Sequence, residues 1–292
     1  MIITRLIGGL GNQMFQYAAG RALTWSKSVE FRLDLRDFIG YTPHNGFELE
    51  RVFNISAPIA SDVDLQRVMG WRASPMALRA LRRKYFSFLR GSKIAVEPGF
   101  SYWPSIVNVP DDCYLQGYWQ SENYFRHYAQ AIRVDFSFKI PSDPRNRELS
   151  STISQCNAVS LHVRRGDYAA NPDTLATHGL CPPDYYHQAI RHIAERVAQP
   201  MFYVFSDDIA WAKKNIAIEF PCHYVDHNRG IESYNDMRLM TLCRHHIIAN
   251  SSFSWWGAWL NARPDKIVVA PKRWFAGGRN VLDIFPPDWV IL

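Results

Sequence analysis

Apolar and polar positions along the chain switch between a period of two and a period near 3.6. The opening run "MIITRLI" (1–7) predicts a strand, and "GGLGN" after it predicts a loop. In "QMFQYAAGRALTWSKS" (13–28), Met14, Ala18 and Ala22 fall on one helical face. Further on, Val159, Leu161 and Val163 alternate with Ser160, His162 and Arg164, the pattern of a half-buried strand. "MFYVFS" (201–206), "HHIIAN" (245–250) and "KIVVAP" (266–271) are short apolar runs ending in polar or turn residues. Helices are expected between them, over 183–198, 209–217 and 233–245. Strands that alternate with helices build a parallel sheet covered on both faces.

The polar stretch "KIPSDPRNRELSS" (139–151), with two prolines, marks a boundary near residue 140. The expected domains are 1–140 and 141–292, with the last twenty or so residues packing back on the N-terminal domain. At 292 residues the chain can bury a substantial core. Its 47% hydrophobic and 21% charged residues are ordinary for a globular protein. The net charge of +6 suits an anionic ligand such as a nucleotide, and equally an acidic membrane surface. The basic residues show no nucleic-acid-binding motif, and no nucleic-acid partner is expected.

Cys113, Cys156, Cys181, Cys222 and Cys243 are odd in number, widely spaced and without a CxxC pair. Neither a disulfide framework nor a zinc site is indicated, and a reduced, cytoplasmic setting is expected. The start "MIITRLIGGLGNQ" lacks the apolar core of a secretion signal, and no window approaches the ~18 apolar residues of a membrane span. One segment qualifies this picture. "MALRALRRKYFSFLRGSK" (76–93) spaces Ala77, Leu81, Tyr85 and Leu89 four apart among arginines and lysines. It reads as an amphipathic basic helix, either an ordinary surface helix facing the core or a peripheral contact with the anionic inner face of a membrane.

Ligands of a parallel α/β sheet lie beyond the carboxyl ends of its strands. Three polar constellations occupy such positions. His162 to Tyr168, "HVRRGDY", ends one strand; Ser206, Asp207 and Asp208 end another; Asn250, Ser251, Ser252 and Ser254 end a third. Arg164 and Arg165 offer permanently charged forks matched to phosphate oxygens. An ion pair with Asp167 competes for one arginine, but not for both. The serines precede an apolar helix, where capping or anion binding is expected, with Trp255, Trp256 and Trp259 in the core. Asp207 and Asp208 admit two readings, a metal bridging a diphosphate or hydrogen bonds to a nucleotide. "GGLGNQ" (8–13) is a loose dinucleotide fingerprint: no third glycine follows, and no acidic residue is well placed to hold a ribose at the end of a second strand. Gly9 and Gly11 would still let backbone approach a ligand, and Asn12 and Gln13 would bond a sugar or phosphate.

Together, "GGLGNQMFQYAAGRAL", "HVRRGDY", "FSDD" and "NSSFSWWGAWL" resemble the motifs of the glycosyltransferase family 11 alpha-1,2-fucosyltransferases, from near residue 8 to the end. The stretch from about 40 to 140 carries little of the likeness. The resemblance implies a GT-B-like α/β fold, two Rossmann-type domains facing across a cleft, with the donor held mainly by the C-terminal one. It implies inverting transfer of fucose from GDP-fucose to the 2-hydroxyl of a galactose-terminated glycan, of the lipopolysaccharide O-antigen kind in bacteria. Related fucosyltransferases need no metal, so no metal or cofactor is expected. Arg164 and Arg165, with the serines of 251–254, would then stabilise the departing diphosphate. Asp167, or less readily His162, would take the acceptor proton. Transfer from another nucleotide sugar, or nucleotide or glycan binding without catalysis, are the competing readings.

Overall fold

Two parallel sheets organise the chain, and each gathers its own compact unit: Met1–Lys139 with Leu282–Ile284, and Ile140–Val281 with Phe285–Leu292. The computed structural model describes residues 1–41, 44–55, 57–81, 83–277 and 282–292. The side chains of Lys84, Asp167 and Leu282 also lie outside the description.

The first unit holds β1 (Ile2–Arg5), β2 (Phe31–Asp34), β3 (Ile94–Val96) and β4 (Cys113–Gln116), ordered β2-β1-β4-β3 and parallel throughout. Alternation along β1 supplies both faces. Ile2 packs with Ala19, Leu23 and Leu115, while Ile3 packs with Leu65, Val68, Leu78 and Tyr114. The helix Leu10–Lys27 starts earlier than its periodicity suggested. Gly9 is its N-cap, so Gly11 and Asn12 stand in its first turn rather than in a loop. Gly20 lets this helix lie directly on the sheet. A Cβ there would sit 2.1 Å from Thr4 Oγ1 and 2.7 Å from the Phe31 ring.

The second unit holds β5 (Asn157–Val163), β6 (Pro200–Ser206), β7 (Cys222–Val225), β8 (His245–Ile247), β9 (Val268–Ala270) and β10 (Val290–Ile291). They are parallel, in the order β10-β9-β8-β5-β6-β7. The expected helices form as Pro183–Ala194, Ile209–Asn215 and Tyr234–Leu242. Because β5 is central, it is buried on both faces and not on one. Its polar positions are therefore internally satisfied. Asn261 donates to His246 Nε2 at 2.8 Å, which leaves the opposite ring nitrogen, Nδ1, to donate to Ser160 Oγ at 2.8 Å.

Three further segments complete the two units. The polar stretch at 139–151 runs into the helix Pro144–Ser154, started by Asp143 accepting from the Asn146 N–H, since a proline at the first helical position suits a helix start. The tail is shared between the units: Val290–Ile291 adds an edge strand to the second sheet, and only Leu282–Ile284 goes with the first. The basic segment is no single helix. It divides into Pro75–Leu81 and a 3-10 turn over Lys84–Arg90, with Arg82 outside the described residues.

Candidate active site

In a parallel sheet all carboxyl ends share one edge, so the order β8-β5-β6 places the three predicted constellations side by side. Val163 pairs with Ser206 in register, which brings the residues after β5 against those after β6. Asp207 joins the two tips. Its Oδ1 accepts from the Arg165 backbone N–H at 2.8 Å, and its Oδ2 lies 3.1 Å from the Arg164 guanidinium. Gly166 makes room for this, because a Cβ there would meet the Asp207 carboxylate at 2.9 Å.

Arg165 is held differently. Its guanidinium stacks on Trp211, 3.9 Å from the ring centre, with Asp208 at 3.9 Å. Asp208 is chiefly a helix cap, accepting from the Trp211 N–H at 3.0 Å, while Ser206 Oγ accepts from the Asp208 N–H at 2.9 Å. Arg165 Nε is buried with no hydrogen-bond partner among the described residues. A buried donor in that state costs stability, so its unused proton is a functional pointer. Both arginines thus have carboxylate neighbours, supplied by the acidic pair after β6. The sequence had considered Asp167 for this part; its side chain lies outside the described residues, although its backbone belongs to the short helix Gly166–Ala170.

His162, which feels the charges of Asp207 and Arg164, is only 6% exposed, with its ring 5.9 Å from that of Phe253. Burial pulls its pKa down to about 3, against the opposing pull of Asp207, so the imidazole is neutral at physiological pH. A base so weak is poorly matched to taking a proton near neutrality.

After β8, Ser251 caps the helix Ser252–Leu260 by accepting from the Phe253 N–H at 3.3 Å. Ser254, 1% exposed, donates to Ser251 O at 3.4 Å. Asn250 is wholly engaged: Nδ2 donates to His178 O at 2.9 Å and to Trp274 O at 3.3 Å, and Oδ1 accepts from Cys181. These polar groups hold the loop, and Ser252 at the first helical position is half-buried. Trp255, Trp256 and Trp259 are buried, as their apolar helix predicts. Sequence periodicity gave no sign of Trp211 under Arg165, or of Tyr168 under Arg164 at 5.3 Å and stacked on His178. It also missed Asp236, which accepts from Asn228 at 2.8 Å and whose pKa burial raises to about 7, against the opposing pull of Asn228 and Arg229.

The glycine motif belongs to the first unit. Gln13 is fully buried and engaged at both ends, donating to Gly8 O and Gly46 O and accepting from the Glu48 N–H. Asn12 Oδ1 accepts from Gln120 at 2.8 Å, and a Cβ on Gly9 would meet the His44 ring at 3.3 Å. Those side chains serve the framework. Asp34 ends the second strand, but it is committed to Arg36 at 2.8 Å and to the Tyr114 hydroxyl at 2.7 Å.

The first sheet has its own cavity at its carboxyl edge, of about 210 Å³, lined by Arg5, Glu97, Phe100, Gln116, Gly117 and Tyr118. Phe100 and Tyr118 are stacked. The Glu97 carboxylate accepts from the Tyr118 N–H at 2.7 Å and the Trp119 N–H at 3.0 Å, which holds Trp119 at φ +55°. Burial raises the Glu97 pKa to about 7 despite those bonds.

The family model "Glycosyl transferase family 11" matches residues 1–292. An alpha-1,2-colitosyltransferase of Escherichia coli is 37% identical, over 99% of this chain and 98% of its own length. The galactoside alpha-(1,2)-fucosyltransferase 2 of Mus musculus is 27% identical over 97% of this chain and 76% of its length. Among solved structures, the NodZ alpha-1,6-fucosyltransferase soaked with GDP-fucose superposes with a TM-score of 0.51 at 15% identity, covering 89% of this chain and 91% of that one. At that identity the likeness concerns the fold, which is α/β and GT-B-like.

Proposed function

Since the chain belongs to glycosyl transferase family 11 and is a glycosyltransferase, we propose that it moves fucose from GDP-fucose to the 2-hydroxyl of a galactoside, with inversion. One observation carries the donor assignment. Arg165, stacked on Trp211 at the carboxyl edge of the second sheet, keeps a buried Nε–H without a hydrogen-bond acceptor among the described residues. A diphosphate oxygen would supply that acceptor. As the bond between the anomeric carbon and the diphosphate breaks, negative charge builds on the leaving group, and donors fixed in advance stabilise it. Arg164 and the Ser252 hydroxyl would add to this. Asp207 and Asp208, already engaged by Arg164, the Arg165 N–H and the Trp211 N–H, would shape the arginines rather than ligate a metal.

The acceptor would occupy the cavity of the first unit. Stacked Phe100 and Tyr118 suit the apolar face of a pyranose, and Glu97 suits its hydroxyls. The acceptor oxygen attacks the anomeric carbon opposite the diphosphate and yields its proton to a base or to water. His162, neutral and a weak base, is poorly suited to take that proton.

A second donor has its own support, because one relative is named for colitosyl transfer. Colitose is fucose without its 3-hydroxyl. A site that bonds this hydroxyl rejects the deoxy sugar by ~10⁴-fold, and one that merely accommodates it discriminates far less. GDP release should be measured with each donor, lactose as acceptor and EDTA present. Fucosyl turnover that survives chelation supports the reading, and a strong preference for GDP-colitose moves the donor to the deoxy sugar. No transfer from either sinks the proposal.

A further inference from the structure

Residues 71–93 contain seven basic residues, Arg72, Arg79, Arg82, Arg83, Lys84, Arg90 and Lys93, and no acidic one. The rest of the chain holds 26 basic and 27 acidic residues, so the whole positive excess resides here. The fold sorts the segment's apolar residues into two sets. Leu78, Leu81 and Leu89 turn inward against Ile3, Val68 and Tyr114. Trp71, Met76, Tyr85 and Phe88 turn outward, exposed by 58%, 85%, 89% and 77%. A core-facing helix therefore accounts for the leucines alone. The arrangement is held together from within: Arg90 donates to Leu81 O at 2.8 Å, and Arg72 bonds Leu89 O and lies over Trp71.

Large aromatic side chains in water are unfavourable, and soluble surfaces rarely group them. Together with Arg79, Arg83 and Lys93, exposed in the same segment, they match one kind of partner. We propose that this face of the N-terminal unit docks on an anionic lipid bilayer surface, the aromatics entering the headgroup boundary and the cations pairing with lipid phosphates. Interfacial binding combines apolar burial with attraction to anionic lipid in this way. Among the described residues no helix is long and apolar enough to cross a membrane, so the contact is one of surface. The inference is independent of which sugar is transferred.

Flotation of the purified chain should be compared on phosphatidylcholine vesicles and on vesicles that also carry phosphatidylglycerol. Binding is expected to the anionic vesicles alone and to fall with salt. Arg79→Ala with Arg83→Ala should weaken partitioning roughly fivefold per residue. Phe88→Ser should weaken it roughly tenfold. Thermal melting and turnover of a soluble acceptor should stay at the wild-type level, because these side chains are exposed and distant in sequence from the donor residues. Equal binding to both vesicle types would overturn the inference, as would no binding to either. Loss of binding with the arginines but not with Phe88 would also overturn it, since charge alone would then account for the binding.

Discussion

Arg165 offers a test in which two magnitudes, worked separately, must come apart. Its contribution to folding is small. The guanidinium stacks on Trp211 at 3.9 Å, worth about 1 kcal/mol for a partly exposed pair. The approach to Asp208 at 3.9 Å adds little, since that carboxylate is 40% exposed and screened. Arg165→Ala should therefore lower the melting temperature by only about 3 °C. Its contribution to transfer is larger, because a fixed donor aimed at the leaving group is worth about 3 kcal/mol, or roughly 10²–10³ in kcat. Arg165→Lys keeps the charge but loses the planar fork, and should recover less than about tenfold of that loss. Trp211→Leu leaves Arg165 charged but removes its platform, and should cost roughly tenfold. The assay is GDP release at saturating donor and acceptor, with melting curves for each variant. Turnover of Arg165→Ala within about threefold of wild type would refute the role, and so would a loss that merely follows the loss of folded protein.

Glu97→Gln should raise the acceptor KM with little change in donor KM. In wild type, acceptor kcat/KM should fall as pH drops through about 7 and Glu97 is protonated; the same bend in the pH profile of Glu97→Gln would count against this. Gly20→Ala drives a Cβ into Thr4 Oγ1 and the Phe31 ring and should destabilise by ~3 kcal/mol in urea titration. Thr4→Val should be neutral or stabilising, since that hydroxyl is buried without a partner among the described residues; marked destabilisation would mean that it makes a bond after all. Asp236 has a folded-state pKa near 7, above its unfolded value, so the folded state binds more protons between the two and stability declines as pH rises through that window. Asp236→Asn should therefore raise the melting temperature more at about pH 8 than at about pH 5, and a difference independent of pH would exclude the raised pKa.

What the sequence revealed and what it hid follow a physical line. The period of two along 157–163 identified β5, and the charges beyond it identified the edge, because both are local properties of the chain. Burial of both faces of β5 was hidden, since it depends on β6 and β8, some forty to eighty-five residues away. The same distance hid the partners of the arginines. Asp207 and Trp211 reach Arg164 and Arg165 only through strand register. Asn250 and Gln13 looked like ligand groups because both are polar residues beside glycines or serines. Only the fold shows that carbonyl and N–H groups of the surrounding loops already occupy them. The helix start at Leu10 was obscured because glycine is both a loop residue and an acceptable N-cap.

The charge of the whole chain and the charge of the donor site answer to different ligands. A net charge of +6 at first favours an anionic nucleotide. Yet the excess lies entirely within 71–93, while at the tips of β5 and β6 two arginines face two aspartates. The donor site therefore attracts by directed donors, not by a net field. Asp207 and Asp208 are turned toward backbone N–H groups and Arg164, while Arg165 retains an unused proton. Directed short-range bonds are weakly screened, and a diffuse cationic face is strongly screened beyond a Debye length of about 8 Å at physiological salt. Raising salt several-fold above physiological should release the chain from anionic vesicles while donor KM changes only a few-fold. If donor KM instead rose in step with vesicle release, the diphosphate would be held by the general field of the protein, and the specific geometry of Arg165 would lose its claim to explain the site.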